Sequence, residues 1–407
     1  MKHPVVVGLQ YGDEGKGKIT DILASQAEWV IRFNGGNNAG HTLYLNGKKV
    51  VTHSVPSGVL YPGAKNFIGA SCVVDPIALA TEIEEIKANG AALDGDRLKI
   101  DFRAHVTLPI HIALDESRES GAKKIGSTKR GIGPTYMTKM DRVGIRISDL
   151  FSEDSLEDKI SFLCGTLNPR LKERGMAESS VSVNLEVAQK AAAYLKPFVS
   201  WAEVPFHLAA KQKRCLLEGA QGVLLDMDHG SYPFVTSSNT LAPHAAVGTP
   251  FPMKKIGNII GIAKAYLTRV GEGPMASELS GDEAEALRKK GGEYGATTGR
   301  PRRIGWLNLD ELRLAVQLSD CTGIVLSKAD VLVGAEEVGV YKEGKVIQCK
   351  PWAQMSVDGK IDPNLEEFIS LIEKYVEIPV VAVGTGPERK DMFWRTKNKD
   401  LWEPISG

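Results

Sequence analysis

A glycine-rich turn set between an apolar run and a helical one, Gly12-Asp-Glu-Gly-Lys-Gly17-Lys18, constrains this chain more than any other feature. It follows Val5-Val6-Val7, a β-branched run stopped by Gly8, and precedes Ile19 to Ala24, whose apolar residues recur at helical spacing. The order strand, loop, helix with G-x-x-x-x-G-K spacing lets backbone N–H groups and a helix N-terminus hold phosphate. Two departures stand out. Ile19 occupies the position where Ser or Thr usually holds Mg²⁺, and two acids, Asp13 and Glu14, lie inside the loop. A carboxylate beside a triphosphate is repelled unless a cation bridges them or its charge is used in the reaction. Asp13 is therefore a candidate metal ligand, general base, or both. The bland alternative is a turn carrying solvated acids, with Lys16 and Lys18 as surface charges.

The same alternation continues along the chain. Trp29 to Phe33 is a second apolar stretch, and Leu43 to Val51 alternates around Asn46-Gly47, a hairpin signal. Cys215 to Leu217, Ile259 to Ile262, Gly323 to Leu326 and Pro379 to Val383 are short and apolar on both faces, as buried parallel strands are. Helical patterns intervene at Val74 to Lys87, Leu185 to Leu195, Leu309 to Leu318 and Leu365 to Tyr375. The fold class this predicts is α/β, a single large domain over residues 1–407 with a mostly parallel central sheet flanked by helices. It is P-loop NTPase-like, with helical and hairpin insertions. The stretch of about 150–210 reads as a helical insertion and that of about 331–377 as a peripheral segment.

Fifty Lys+Arg balance fifty Asp+Glu, so no global field draws nucleic acid or anionic lipid, and any anion binding is local. Five scattered cysteines without a CxxC pair argue against disulfides or a zinc knuckle and for a cytoplasmic setting. The apolar run near Met1 is too short for a signal or membrane segment.

Other loops carry chemistry. Asn37 to Thr42 places His41 just after a glycine at a strand end, where an imidazole can stabilise a transferred phosphoryl or act as an acid. Thr128, Lys129 and Arg130 offer donors in the loop from Gly126 to Thr135, and Glu218-Gly-Ala-Gln-Gly222 and Thr236 to Thr240 follow apolar stretches. Gly295 to Arg303 concentrates hydroxyls and three arginines, suited to forked recognition of carboxylate or phosphate. Lys328-Ala-Asp330 after a strand has the K-x-D form of a guanine site. An aspartate accepts from N1–H and the 2-amino group of guanine, which adenine cannot match.

Taken with Arg130-Gly-Ile-Gly-Pro134, Thr297-Thr-Gly-Arg300 and Gly384-Thr-Gly-Pro387, these motifs closely resemble the adenylosuccinate synthetase family from about Val5 to Arg389. The resemblance implies GTP-dependent joining of IMP and L-aspartate through a 6-phosphoryl-IMP intermediate, in a homodimer with one Mg²⁺ per subunit. It implies catalytic roles for Asp13, His41 and Gln221, with metal on Asp13 and the Gly40 carbonyl. GTP falls to Gly12, Asp13, Glu14, Gly15, Lys16, Gly17 and Lys18, to Gly40, His41 and Thr42, and to Arg302, Lys328, Ala329, Asp330, Gly384, Thr385, Gly386 and Pro387. IMP falls to Asp13, Lys16, Asn38, Ala39, Gly40, His41, Thr128, Gln221, Thr236, Val270 and Arg300, with Arg142 reaching the partner's site. Aspartate falls to Ala296, Thr297, Thr298, Gly299 and Arg300. The chain departs from the family in being shorter between Asp330 and Gly384, and in having Gly384 where serine is frequent. A guanylate-specific relative would lack the loop aspartate. A GTPase switch would have no use for the arginine loop, and an ATP-using kinase would carry Ser or Thr at Ile19.

Overall fold

The structure, a computed structural model, describes residues 2–45, 48–121, 124–152, 155–201, 213–295, 299–395, 401–403 and 405. The strand β1 (His3–Gly8) is buried along its whole length. It pairs in parallel with Cys215–Glu218 on one side and Ile256–Lys264 on the other. Among the described residues ten strands make the central sheet, in the order Met392–Trp394, Val380–Gly384, Gly323–Ser327, Ile256–Lys264, β1, Cys215–Glu218, Trp29–Arg32, Lys65–Ile68, Leu98–Asp101, Val199–Ser200. Among the described residues only the edge strand Met392–Trp394 runs antiparallel to its neighbour in this sheet.

Alternation along β1 sends Val5 and Val7 to one face and Val6 to the other. Val6 packs with Ile19 and Leu23 of the helix α1 (Lys16–Ala24), while Val5 and Val7 share a core with Leu312, Ala315 and Val316 of the helix Leu309–Ser319. Both faces are therefore covered, which is why these strands are apolar throughout. This agrees with the α/β architecture expected from the sequence.

The register aligns the carboxyl ends of the strands. Val6 lies opposite Glu218, Glu218 opposite Arg32, and Lys264 opposite Ser327. The loops after β1, Arg32, Glu218, Ser327 and Gly384 thus meet at one edge of the sheet, where parallel α/β folds gather ligands. The predicted hairpin is present as His41–Leu45 and Lys48–Thr52, with Leu43 opposite Val50, and its tip Asn46-Gly47 lies outside the described residues.

The segment 331–377 departs from expectation. Rather than lying at the periphery, Val338 and Val340 join a second sheet with Tyr266–Arg269 and Arg303–Asn308. The helix Pro363–Val376 turns Leu365, Phe368, Ile369, Ile372 and Val376 into the same core cluster as Val5. Those positions follow helical spacing, but polar residues between them dilute the run. Helices Leu156–Glu173 and Val181–Leu195 fill much of 150–210 and pack with Ile83 and Leu114 in a second core cluster.

Phe368 is 1 % exposed. Phe368→Ala is expected to cost about 3–5 kcal/mol, read as a lower urea unfolding midpoint; a shift no larger than that of surface substitutions would mean the segment is peripheral after all.

Candidate active site

The loops at the carboxyl edge enclose a cavity of about 1090 Å³. The glycine-rich turn is shaped by positive φ at Gly12, Asp13 and Gly15, a conformation Asp tolerates better than most residues. Glu14 has no exposed surface. Its Oε1 accepts from the backbone N–H groups of Gln10 (3.1 Å) and Gly12 (2.9 Å), and its Oε2 takes Lys16 Nζ at 2.5 Å. This acid is thus the clamp that folds the loop. The fold needs Gly222 beside it, since a Cβ there would lie 2.1 Å from the Gln10 carbonyl oxygen. Ile19, at the position where a P-loop hydroxyl usually sits, is buried in the core beneath α1.

Asp13 keeps partial exposure and lines the cavity, with its Oδ2 2.9 Å from Arg302 Nη2. Opposite it, His41 is tied from behind. Its Nδ1 donates to Glu218 Oε1 at 2.5 Å, because a carboxylate only accepts, and this leaves Nε2 as the ring's free nitrogen. Ser57 binds the same carboxylate through its hydroxyl (2.7 Å) and its backbone N–H (2.8 Å), and Arg32 Nη2 lies 3.4 Å away. Burial acts to raise the Glu218 carboxyl, but Arg32, His41 and Ser57 outweigh it and hold it at about 2. Burial, helped by Arg32, lowers His41 against the opposing pull of Glu218, so the imidazole is neutral at rest.

At one end of the cavity stand Lys328 and Asp330. Lys328, at φ 61°, donates to the Gly291 carbonyl at 2.7 Å, and burial raises the Asp330 carboxyl. Lys18 crosses to the last loop, donating to the carbonyls of Gly386 and Asp391, each at 2.8 Å, and burial lowers its ammonium to about 8. At the other end, Gln221 Nε2 donates to Asn38 Oδ1 at 3.1 Å, and Gln221 Oε1 is buried without a partner.

Most residues singled out in the sequence come together here. Gly12, Asp13, Glu14, Gly15, Lys16, Gly17, Lys18, Asn38, Ala39, Gly40, His41, Thr42, Thr128, Gln221, Thr236, Val270, Arg300, Arg302, Lys328, Asp330, Gly384, Gly386 and Pro387 all line the cavity. Ala329 and Thr385 do not; their backbones brace the loops, through Trp352 Nε1 to the Ala329 carbonyl (3.1 Å) and Thr385 N–H to the Asp391 carbonyl (2.9 Å). Gly299 is exposed and off the wall, and Ala296, Thr297 and Thr298 lie outside the described residues. Arg142 ends the helix Ile132–Asp141 in the left-handed region, exposed and away from the cavity wall.

Sequence patterning does not reveal the charges behind the wall. Glu293 and Lys264 are fully buried 3.2 Å apart, and Arg269 lies buried over the Tyr11 ring. The one local signal is Lys264 itself, a lysine at the end of an apolar strand, which demands a buried partner.

The family model described as adenylosuccinate synthetase matches residues 5–358. The adenylosuccinate synthetase of Anaeromyxobacter dehalogenans is 42 % identical over 423 aligned residues, covering 96 % of this chain and 97 % of its own. That of Halothermothrix orenii is 41 % identical, covering 98 % and 99 %. Among solved structures, the fully ligated adenylosuccinate synthetase of Plasmodium falciparum superposes with a TM-score of 0.90 at 34 % identity, over 97 % of this chain and all of that one. A cyanophage S-2L succinoaminodeoxyadenylate synthetase, bound to dGMP and dATP, shares the fold at a TM-score of 0.66 and 19 % identity, over 97 % of this chain and 95 % of that one.

The buried charges set a pH dependence. Glu218 and Glu293 both sit near 2 instead of 4.5, so the stability they contribute is present above about 4.5 and lost as pH falls toward 2. Neutral His41 and His111, lowered from 6.5, act in the same direction, because the unfolded chain takes up protons below 6.5 that the folded one refuses. The unfolding temperature is expected to fall as pH drops from about 6.5 toward 2; a midpoint that rises on acidification over that range would contradict this charge arrangement.

Proposed function

The chain belongs to the adenylosuccinate synthetase family, and from that premise we propose how its own residues carry out the family's reaction. That reaction is the GTP-dependent joining of IMP to L-aspartate, giving adenylosuccinate, GDP and phosphate, the committed step from IMP toward AMP. The single observation that carries the residue-level reading is Asp13, a carboxylate in the middle of the phosphate loop. It is positioned between a guanine-type K-x-D end and an amide-lined end holding Gln221 and Asn38.

In this reading Asp330 recognises the N1–H and 2-amino group of guanine, and the loop's backbone N–H groups with Lys16 take the GTP phosphates. IMP lies against Asn38, Thr128, Gln221, Thr236 and Val270. Asp13 removes the N1 proton, and O6 attacks the γ-phosphorus, expelling GDP and giving 6-phosphoryl-IMP. The aspartate amine, held by the loop that includes Gly299 and Arg300, then attacks C6, loses a proton and displaces phosphate. Without O6 phosphorylation, C6 carries a poor leaving group.

His41 suits the phosphoryl in transit. An anion at Nε2 favours the imidazolium, and Glu218 on Nδ1 supports that charge from behind, so the ring gains a proton when the phosphate arrives. Magnesium fits the donors available. Mg²⁺ takes oxygen ligands and is commonly held by one or two carboxylates with substrate phosphates supplying the rest. Asp13 and the Gly40 carbonyl are hard oxygens on the wall, and no cluster of three or more acidic, His or Cys ligands occurs among the described residues. When bound, the ion would neutralise charge on the phosphates. Exposed Arg142, off the wall of its own cavity, is proposed to complete the IMP phosphate site of the partner in a homodimer. Among the described residues no helix is long and apolar enough to cross a membrane; a cytoplasmic setting is proposed from the unpaired cysteines.

Purified protein with IMP, aspartate, GTP and Mg²⁺ is expected to form adenylosuccinate only when every component is present, and GTP hydrolysis indifferent to IMP and aspartate would sink the reading. Asp13→Ala should stay folded and lose at least the roughly 10²- to 10⁴-fold typical of a general base. Near-normal turnover in that variant would place the base elsewhere. Arg142→Leu is expected to raise KM for IMP by about tenfold or more, the value of a charge-assisted hydrogen bond, while KM for GTP stays near that of the wild type.

A further inference from the structure

Lys264 ends the central strand Ile256–Lys264, and its side chain has no exposed surface. An ammonium in that position must be paired, and its partner is Glu293, likewise fully buried, with both carboxylate oxygens 3.2 Å from Nζ. Tyr266 donates its hydroxyl to Glu293 Oε1 at 2.6 Å. Two further cations reach the same carboxylate, and both belong to the candidate active site. Arg302 donates through Nη1 to Oε2, and Lys328 Nζ stands 3.8 Å from Oε1. The backbone joins them as well, since Arg302 N–H donates to the Glu293 carbonyl at 3.0 Å.

Glu293 itself is not on the cavity wall, so it touches no reacting atom. What it does is connect two ends of the site. Lys328 is the lysine of the K-x-D segment at the base end, whereas Arg302 spends its other arm on Asp13, 2.9 Å away. Lys264, Tyr266 and Arg302 share the carboxylate's lone pairs, while Lys328, whose Nζ donates to the Gly291 carbonyl, acts on it at 3.8 Å through its charge alone. Any change in how Lys328 sits, such as packing its stem along a bound base, alters the field at Glu293 that holds Arg302. Arg302 in turn sets how free Asp13 is. We propose that Glu293 is a positioning residue that couples occupancy of the base end of the cavity to the placement of Arg302 at Asp13, and with it of Gly299 and Arg300, which lead into Arg302 along the chain. This rests on the functional reading above and extends it: recognition of the purine base of the triphosphate tunes capture of the amino-acid substrate. By linkage the effect is reciprocal.

The test exchanges the base and removes the hub. GTP is compared with inosine 5′-triphosphate, which lacks the 2-amino group, in the wild type, Glu293→Gln and Tyr266→Phe, with KM for aspartate and kcat measured for each. In the wild type the exchange is expected to raise KM for aspartate about fivefold or more, within the usual span of coupling between sites. In Glu293→Gln the same exchange is expected to change it by less than about twofold, and Tyr266→Phe to fall between the two. A residue that only supports the fold would lower the unfolding temperature and kcat but leave the response to base exchange as in the wild type, and that result overturns the proposal. So does a wild-type KM for aspartate that ignores the base. Should Glu293→Gln fail to fold because Lys264 is left unpaired, Tyr266→Phe, which keeps the volume and both charges, decides alone. Loss of IMP- and aspartate-dependent product formation in the wild type would instead reject the functional reading itself.

Discussion

Glu14, Glu218 and Glu293 have no exposed surface, and each is matched by a cation that is itself buried: Lys16, Arg32 and Lys264. Taking an ion out of water costs several kcal/mol, and a buried pair recovers that only with good geometry and its remaining lone pairs satisfied. Such pairs are therefore poor sources of net stability but strict sources of position. Glu14 fixes the path of the phosphate loop by accepting its N–H groups. Glu218 fixes the ring of His41, and Glu293 fixes Arg302. The wall of the cavity takes its geometry from these buried carboxylates, of which Glu14 and Glu218 sit where parallel strands end.

The first tier of this organisation is legible in the sequence. The run Val5-Val6-Val7, the glycines and the helical spacing after Lys18 are local patterns, and a parallel sheet turns them into a site by geometry alone, because every strand-to-helix loop emerges on the same edge. The K-x-D segment and the awkward Asp13 are likewise visible from chemistry. The second tier is not local. Glu218 reads as the first residue of a glycine loop, and only the register that sets it opposite Arg32 makes it a clamp on a histidine 177 positions away. Lys264 and Glu293 are 29 positions apart, and nothing in the spacing announces them. The stretch 331–377 was hidden for a different reason: its apolar residues are periodic but diluted, so its burial beside Val5 depends on the second sheet that covers it.

Ile19 and Asp13 make sense as one exchange. In the common phosphate loop a hydroxyl on the first helical turn faces the metal, whereas here that position points into the apolar layer with Val6 and Leu23. In the proposed reading the oxygen ligand has moved from the helix into the loop, onto a residue with a left-handed backbone that lines the cavity. A carboxylate in that position can also take a proton, which a hydroxyl at neutral pH does poorly. The cost is that Asp13 must stay available without being left as a bare anion among phosphates, and Arg302 is the cation paired with it.

Handing Asp13 over to substrate would ordinarily strand a nearly buried guanidinium, and truncating such pairs is expensive for that reason. Arg302 escapes this because its second arm already rests on Glu293, whose negative charge is secured by Lys264 and by the Tyr266 hydroxyl. The arm that holds Asp13 can let go while the arginine remains compensated, so release of Asp13 to act as the proposed base is a small rearrangement of one guanidinium between two carboxylates. Glu293 makes an exchangeable contact of what would otherwise be a permanent salt bridge.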